Sequence, residues 1–267
     1  MTVIEPRVVQ VAVGPPGAEG RLWDQSLYIS GTVERTSGST PNKAKIQIYN
    51  LAPASLAYLE KPGHVMQVRV GETVPTSIFY GELRASGIKT ALKHPDLVTS
   101  LEATDGRSIM QSGWFTGSYP ANTTRSQILT DVLAQNGIAR GYVAPLAERT
   151  YQAPTMWADR VDAVLDELYL GELAEWSLQG GRFYLLLDDT PAPGNAPVIS
   201  AKTGMIGSPE RTDKGVKVDF GQVGAVVPCG PFSLVSRLVS GSYKAIKITT
   251  EFDTELKWQD KITGRPI

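Results

Sequence analysis

The segment from Asn42 to Gly71, NKAKIQIYNLAPASLAYLEKPGHVMQVRVG, constrains the fold more than any other part of the chain. In AKIQIYNL, the residues Ala44, Ile46 and Ile48 alternate with polar residues, so they share one face of an extended strand. The short PASLAYLE stretch predicts a single helical turn, and after a Pro-Gly turn HVMQVRVG alternates again. This two-residue period predicts strands that bury one face in a core.

Further strand candidates surround this segment. Before residue 106 they are RVVQVAV, QSLYISGTVERT, SIFYGELRASGIKT and DLVTSLEATDG, in which Gly81 and Gly87 predict bulges or bends. Near the C-terminal end they are GVKVDFG, FSLVSRLVSG and SYKAIKITTEFD, the last with Ile246 and Ile248 facing inward. Five or more closely spaced strands with turns between them predict a barrel or a sandwich.

The middle of the chain changes to a helical period. NTTRSQILTDVLAQNGI predicts a helix with a capping box formed by Thr124 and Gln127 and a C-terminal Gly137. ADRVDAVLDELYLGELAEW predicts a second helix with an apolar stripe. EWSLQGGRFYLLLDD then predicts a hairpin that turns at Gln179-Gly180-Gly181.

A proline-rich segment, TPAPGNAP from Thr190 to Pro197, predicts a boundary because it can continue neither a helix nor a central strand. We therefore expect an α+β, β-rich chain with two β-barrel domains that flank a small helix-containing α+β insert. The expected domains are residues 1–117, 118–190 and 191–267. The two flanking parts show no close sequence repeat.

Composition excludes several classes of protein. Lysine and arginine number 26 and aspartate and glutamate 27, which argues against a dedicated nucleic-acid binder. The one cysteine, Cys229, excludes an internal disulfide, and its apolar VVPCGPF setting predicts a half-buried, inert thiol. The first residues lack the pattern of a signal peptide, and no run is long and apolar enough to span a bilayer, so we expect a soluble chain made in a reducing cytoplasm.

Catalytic patterns are weak throughout the sequence. The two histidines, His64 and His94, lie in predicted turns where we expect them to be solvated, and neither has neighbours at metal-ligand spacing. Asp188 and Asp189 are adjacent on a strand end and point to opposite faces, while the carboxylates of the second helix, Asp162, Asp166 and Glu167, predict its solvated face. The five tryptophans predict core or interface anchors. We therefore expect a structural protein, with no enzyme activity, cofactor or metal.

Taken in order, these segments resemble the baseplate hub proteins of bacteriophage tails, of the late control protein D type. In the first tube-like domain of that family the matching residues are Ile46, Ile48, Tyr49, Asn50, Leu51, Gly63, Val68, Gly71, Ile78, Phe79 and Gly81, with Asp105-Gly106 at its end. The two helices and the hairpin resemble the middle domain. The C-terminal part resembles the closing domain, with its Gly-Ser-Tyr-Lys strand and its Asp253, Thr254 and Trp258 ending, although Phe252 stands where the family often has glycine.

The resemblance implies two tail-tube-like β-barrels in each chain and a homotrimer that presents six barrels as a pseudo-sixfold ring. Such a ring joins the hexameric tail tube or a distal tail protein to the tip, spike or central fibre, beside the tape measure protein. It leaves a channel through which DNA passes. We expect a virion protein that is assembled in the host cytoplasm, in a tail that is either contractile or non-contractile.

For the assembly interface we expect contributions from the AKIQIYNL strand and from the C-terminal part. The candidate residues are Ile46, Ile48, Tyr49, Asn50, Leu51, Tyr243 and Trp258. Such interfaces cover strand edges that would otherwise aggregate.

Two alternatives stay open at this point. The first is the spike-base protein of a type VI secretion-like contractile injection system, which shares the fold but usually continues into a long C-terminal β-helix spike. The second is a cell-wall glycan hydrolase, which needs two carboxylates at a suitable separation in a cleft. No convincing pair of this kind is present in the sequence.

Overall fold

The computed structural model describes residues 7–72, 74–213 and 215–267. The six N-terminal residues, on which the expectation of no signal peptide partly depends, lie outside the described residues. Strands make up 51% and helices 13% of the described residues, which confirms the expected β-rich α+β class. The helices are α1 (Pro53–Leu59), α2 (Arg107–Ser112), α3 (Arg125–Gln135) and α4 (Val161–Leu168). A 3₁₀ turn covers Ala85–Gly87. None of the described helices is long and apolar enough to cross a membrane.

The strands fall into three groups along the chain. The first group is β1 (Val8–Gly14), β2 (Arg21–Trp23), β3 (Ile29–Thr36), β4 (Lys43–Tyr49), β5 (Val65–Gly71), β6 (Thr76–Leu83), β7 (Lys89–Lys93) and β8 (Asp96–Thr104). The second is β9 (Trp114–Tyr119), β10 (Thr123–Thr124), β11 (Ala139–Val143), β12 (Thr150–Tyr151), β13 (Thr155–Arg160), β14 (Ala174–Gln179) and β15 (Arg182–Leu187). The third is β16 (Val198–Ser200), β17 (Met205–Thr212), β18 (Gly215–Phe220), β19 (Pro231–Val235), β20 (Ser240–Asp253) and β21 (Trp258–Pro266).

The first and third groups form one sheet of 14 strands. Its main path is β17-β18-β21-β20-β3-β4-β8-β6-β5-β1-β2, with β7 on β8, β19 on β20, and β16 on β19. The long strand β20 holds the two groups together: it pairs with β19 through its first residues and with β3 through its last. Thus strands that lie far apart in sequence are neighbours in one ladder.

The first core lies inside the N-terminal group. Strands β1, β3, β4, β5, β6 and β8 all send buried side chains into it, and Val223, Phe252 and Trp258 of the C-terminal part join them. Side chains from so many successive strands can meet in one core only if the sheet curves around it, as in a barrel. The predicted inward faces, of Ala44, Ile46 and Ile48 on β4 and of Met66, Val68 and Val70 on β5, are confirmed.

A second core fills the C-terminal group, where buried residues of β16, β18, β19, β20 and β21 meet. Ile248 is buried as predicted, but Ile246 is only half-buried, so that part of the prediction is wrong. The reason is a register shift between Ala245 and Lys247, which moves Ala245 rather than Ile246 into the core.

The insert has its own core, in which α3 and α4 pack against β9, β13 and the small sheet β11-β15-β14. The capping box is confirmed, because the Thr124 side chain accepts from the Gln127 backbone while Gln127 accepts from the Thr124 backbone. The hairpin β14–β15 turns at Gly180 and Gly181, both with positive φ, as expected for a two-residue turn. Asp166 accepts a 2.8 Å hydrogen bond from the Trp176 indole, a role beyond the solvated face that we predicted for it.

Three local predictions need correction. Helix α1 spans seven residues rather than a single turn. His64 is buried, 5% exposed, and its ring lies 4.8 Å from that of Tyr58, because the chain turns back at Gly63 and places the imidazole under α1. The bulge in β6 falls at Ile78, opposite the step from Val68 to Arg69, and not at Gly81. Gly87 does lie in a bend, the 3₁₀ turn.

The aromatic and thiol predictions have clear outcomes. Four tryptophans are buried, at positions 23, 157, 176 and 258, while Trp114 is 56% exposed. Cys229 is more deeply buried than expected, and this desolvation raises the pKa of its thiol to about 12, which keeps it protonated.

The hairpin turn of the insert docks on the end of the first core. The Asp105 carboxylate accepts from the backbone of Gly180 at 2.7 Å and of Gly181 at 3.3 Å. Beside it, Asn42 donates to the Gln179 side chain at 2.7 Å. Burial raises the pKa of Asp105 to about 6, although these hydrogen bonds oppose the shift.

Gly81 is required by close packing. A Cβ at this position would lie 2.8 Å from the Asp105 backbone nitrogen and 2.7 Å from the Phe79 ring. We expect Gly81→Ala to lower the free energy of unfolding by about 1–3 kcal/mol, because a well-packed core does not yield easily. Urea denaturation measures this. The matched control is Gly38→Ala, where a Cβ meets no atom within 4 Å; equal losses in both variants would contradict the packing argument.

The raised pKa of Asp105 should make the stability of the folded chain depend on pH. Its pKa is raised from an ordinary 3.8 to about 6 in the folded chain, so folding takes up a proton between these values. Stability from this group therefore rises as the pH falls through 6. Relative to Asp105→Asn, the free energy of unfolding of the wild type should increase by about 1 kcal/mol between pH 7 and pH 5. A pH-independent difference in urea titrations would show that Asp105 titrates normally.

Candidate assembly joint and polar wall

The feature that unites the two barrel-like halves is the ladder between β3 and β20, which we call the joint. It runs antiparallel from Lys247 opposite Thr36 to Asp253 opposite Ser30. The joint makes the sheet continuous from β18 through β21, β20, β3 and β4 to β8. A continuous ladder fixes the orientation of one half on the other, because each strand is hydrogen-bonded on both sides.

The outward face of these six strands, which we call the polar wall, carries polar side chains. They are Lys217 and Asp219; Gln259, Lys261 and Thr263; Lys247, Thr249, Glu251 and Asp253; Ser30, Thr32 and Glu34; Lys43, Lys45 and Gln47; and Ser100 and Glu102. This set contains five lysines and five carboxylates, so the wall is charged but balanced. The opposite faces of the same strands fill the two cores.

Ion pairs link charged side chains of the wall to one another and to the loop before β21. Lys247 lies 3.6 Å from Glu34 across the joint. Glu251 contacts both Lys257 and Lys261, at 3.1 and 3.0 Å. Partial burial opposes ionisation of Glu251, but hydrogen bonds from Lys261, Gln259 and Lys257 outweigh it and lower its pKa to about 2. Exposed pairs of this kind add little stability each, so their main effect is to set the charge of the surface.

Beneath the joint lies a buried polar network. Arg35 donates to the Thr250 hydroxyl at 3.1 Å, and Thr250 donates to Asp260 at 2.5 Å. Asp260 also accepts from the backbone of Gly224 at 2.9 Å. Burial lowers the pKa of Arg35 and raises that of Asp260, while their mutual attraction opposes both shifts. The network therefore ties β3, β20, β21 and the loop at Gly224 together inside the protein.

The structure places most of the predicted interface residues inside the chain's own cores. Ile46, Ile48, Leu51 and Trp258 belong to the first core, and Tyr243 to the C-terminal core. In this conformation they support the strands rather than offer surface to a partner. Their part in an assembly interface stays a prediction.

Tyr49 and Asn50 lie at the surface end of β4. The Tyr49 ring meets Tyr28 edge-on at 4.8 Å. Asn50 has a left-handed φ of 55°, which asparagine adopts more easily than most residues, and its side chain bonds Asp96 at 2.8 Å and the Leu97 backbone at 2.9 Å. Asn50 thus fixes the exit of the chain from β4.

Sites for chemistry are few in this structure. Among the described residues, no group of three or more His, Cys, Asp or Glu side chains is placed to hold a metal ion. A cavity of about 460 Å³ lies where the three parts of the chain meet, lined by Arg35, Asn42, Asp105, Tyr142 and Cys229 among others. Its charged members are already engaged in the contacts that dock the parts on one another.

The two halves are related strand by strand by a structural repeat. Their sequences show no close repeat. The chain order β1, β3, β4, β5, β6, β8 corresponds to β16, β17, β18, β19, β20, β21, and the sheet order β3-β4-β8-β6-β5-β1 corresponds to β17-β18-β21-β20-β19-β16. The one difference in direction is that β1 and β5 are antiparallel, whereas β16 and β19 are parallel.

The register of the repeat is also preserved. Ala44 and Ile46 on β4 pair with Ala103 and Leu101, and in the second half Val216 and Val218 pair with Gly264 and Ile262. All of these positions are buried. In this correspondence β6 and β7, separated by the 3₁₀ turn, match the first and last parts of β20, separated by its bulge.

Comparison with known proteins finds matches among solved structures only: no family model and no curated relative matches the chain. The 43 kDa tail protein of prophage MuSo2 from Shewanella oneidensis aligns with a TM-score of 0.66 at 10% identity, over 97% of this chain and 98% of that one. A tail protein of Neisseria meningitidis aligns with a TM-score of 0.66 at 9% identity, over 96% of each chain.

A third structure comes from a secretion system. The Escherichia coli c3393 protein, described as a type VI secretion component with structural similarity to the T4 tail proteins gp27 and gp5, aligns with a TM-score of 0.66 at 13% identity. The match covers 96% of this chain and 76% of that one. At these identities the likeness concerns the fold. The likeness to phage tail proteins that the sequence indicates is therefore confirmed at that level, and the chain has a tail-protein fold.

Proposed function

We propose that this chain is a structural hub subunit of a phage tail baseplate or tail tip. Three copies form a pseudo-sixfold ring that joins the hexameric tail tube to the tip or spike and leaves a channel for DNA. The observation that carries the proposal is the strand-by-strand repeat, because a chain with two similar halves matches two subunits of a sixfold tube. Residues 1–117 and 191–267 would supply the two tube-like domains, and residues 118–190 the insert.

The polar wall supports a position at the channel. A surface that passes DNA must stay wetted and must not bind phosphates strongly, since each lysine or arginine that neutralises a phosphate adds to the affinity. The wall meets both conditions, with polar side chains on all six strands and equal numbers of lysines and carboxylates. In this arrangement its residues face the lumen and the cores face outward.

The role we propose is non-enzymatic. Asp188 and Asp189 follow directly on β15, and the carboxylate at Asp105 is occupied by backbone donors. The partners that follow from a hub are the tube or distal tail protein on one side and the tip, spike or central fibre and the tape measure protein on the other. Its place is the virion tail.

A second candidate is the base of a spike in a contractile injection system. The similarity to the E. coli type VI secretion component favours it, because that protein shares the fold over 96% of this chain. Both candidates are ring-forming and differ in the particle into which the ring is built. Co-purification with tail tube protein from phage particles favours the first, and co-purification with a secretion tube favours the second.

The ring makes a direct prediction of mass. In native mass spectrometry we expect a species of three times the 28.8 kDa chain, and in negative-stain images of it a ring with six lobes. Three copies close the ring because each supplies two of the six positions. A chain that stays monomeric at high concentration and also in the presence of tail tube protein would contradict the hub.

A further inference from the structure

Two strands flank the six strands of the polar wall, β7 beside β8 and β17 beside β18, and each has one edge that pairs with none of the described strands. Among the strands that the structure describes, β7 pairs only with β8, and all five of its residues are exposed. Within the described part of the chain, β17 pairs only with β18 and is exposed along most of its length. Proteins manage such edges by covering them, within the chain or with a partner, or by keeping them short, charged, bulged or interrupted by proline.

The pairing of β3 with β20 within the chain indicates how the unpaired edges of β7 and β17 could be covered. In the repeat, β17 corresponds to β3, and β7 corresponds to the last part of β20. Since β20 pairs with β3 within the chain, the same geometry pairs β7 of one copy with β17 of the next. The two edges lie at opposite ends of the strand series β17-β18-β21-β20-β3-β4-β8-β7, so they can pair within one chain only if that series closes on itself.

We propose that the β7 edge of one copy pairs antiparallel with the β17 edge of the next copy, and that Leu92 enters the apolar cavity beside β17. This inference rests on the proposed ring and names the contact that closes it. It also fixes a register. Thr249 faces Glu34 and Glu251 faces Thr32 in the joint, and by correspondence Lys89 faces Thr212 and Ala91 faces Glu210 of the next copy.

Charge favours this register. Glu210 lies opposite Ala91, so Lys89 and Lys93 are its diagonal neighbours on the same face. Opposite charges at such positions stabilise a pair of strands. All three side chains belong to exposed residues in the single chain. The wall repeats the pattern at Glu251, which contacts two lysines.

In the repeat, the exposed Leu92 on β7 corresponds to a residue on β20 that is buried. Leu92 is 69% exposed, whereas its equivalent on β20, Phe252, is fully buried in the core of the other half. A cavity of about 680 Å³ adjoins β17, lined by Met205, Pro209, Val235 and Leu238 among others. Val235 and Leu238 are themselves largely exposed in the single chain. An aliphatic side chain from a neighbour would cover them, as Phe252 covers the first core.

Disulfide trapping tests the register. Chains with Ala91→Cys are mixed with chains with Glu210→Cys and oxidised, and we expect a covalent dimer that neither variant forms alone. The double variant should also give covalent trimers. The control pairs Ala91→Cys with Lys217→Cys, which is exposed on the same wall but one strand further in, beyond disulfide reach. The native Cys229 is buried and protonated, so it does not compete.

A second pair of variants tests the apolar contact. Leu92→Asp should reduce the trimer fraction at least tenfold while the circular dichroism of the chain is unchanged, because Leu92 is exposed in the single chain. Leu22→Asp, at an exposed position on β2 at the far end of the sheet, should leave the trimer intact.

The mass of each species is measured in parallel with cross-linking. Together the two measurements distinguish a failure of the β7–β17 pairing from a failure of the trimeric ring. A specific cross-link together with loss of trimer in Leu92→Asp supports the pairing of β7 with β17. A trimer that gives no cross-link above the control overturns this pairing and leaves the hub intact. A monomer with no cross-link overturns the pairing and contradicts the ring as well.

Discussion

The ladder between β3 and β20 determines how the two halves of the sheet are arranged. It joins strands more than 200 residues apart and turns two curved half-sheets into one. The buried network of Arg35, Thr250 and Asp260 lies directly beneath it, and Phe252 crosses it to fill the first core. Burying such charged groups is costly unless each finds a partner, so the network penalises any other register of the two strands.

The local structure was predictable because it depends on neighbours in sequence. The alternation at Ile46 and Ile48 marks a strand with one buried face, and Thr124 with Gln127 marks the start of a helix. The prediction for His64 was wrong because its burial depends on α1 folding back over it, which the Pro-Gly turn alone does not show. The prediction that Ile246 faces inward was wrong because a bulge in β20 shifts the alternation of buried and exposed residues by one position.

The joint and the repeat were not predictable from the residues. A buried position in the repeat requires only an apolar side chain of suitable size. Different residues therefore occupy equivalent positions, Ile48 with Phe220 and Ala44 with Val216, and little sequence identity remains. The wall is equally hidden, because polar residues on the outer face of a strand look the same whether they meet bulk water or a channel. Five of the seven residues chosen as interface candidates proved to be core residues, since the pattern that made them conspicuous is that of burial. The strand edges at β7 and β17 carry no comparable signal.

In the assembled hub that we propose, the polar wall lines a channel, and strand pairings of one geometry alternate within and between chains to close it. A reconstruction of the assembled ring by electron cryo-microscopy, at a resolution that separates strands, tests this arrangement most directly. We expect eight strands per chain in one unbroken sheet around the lumen, with β3–β20 pairing inside each chain and β7–β17 pairing between chains. We also expect Lys45, Lys247 and Lys261 to face the channel. A ring in which these lysines face outward, or in which the sheets of neighbouring chains are not hydrogen-bonded, would contradict this arrangement.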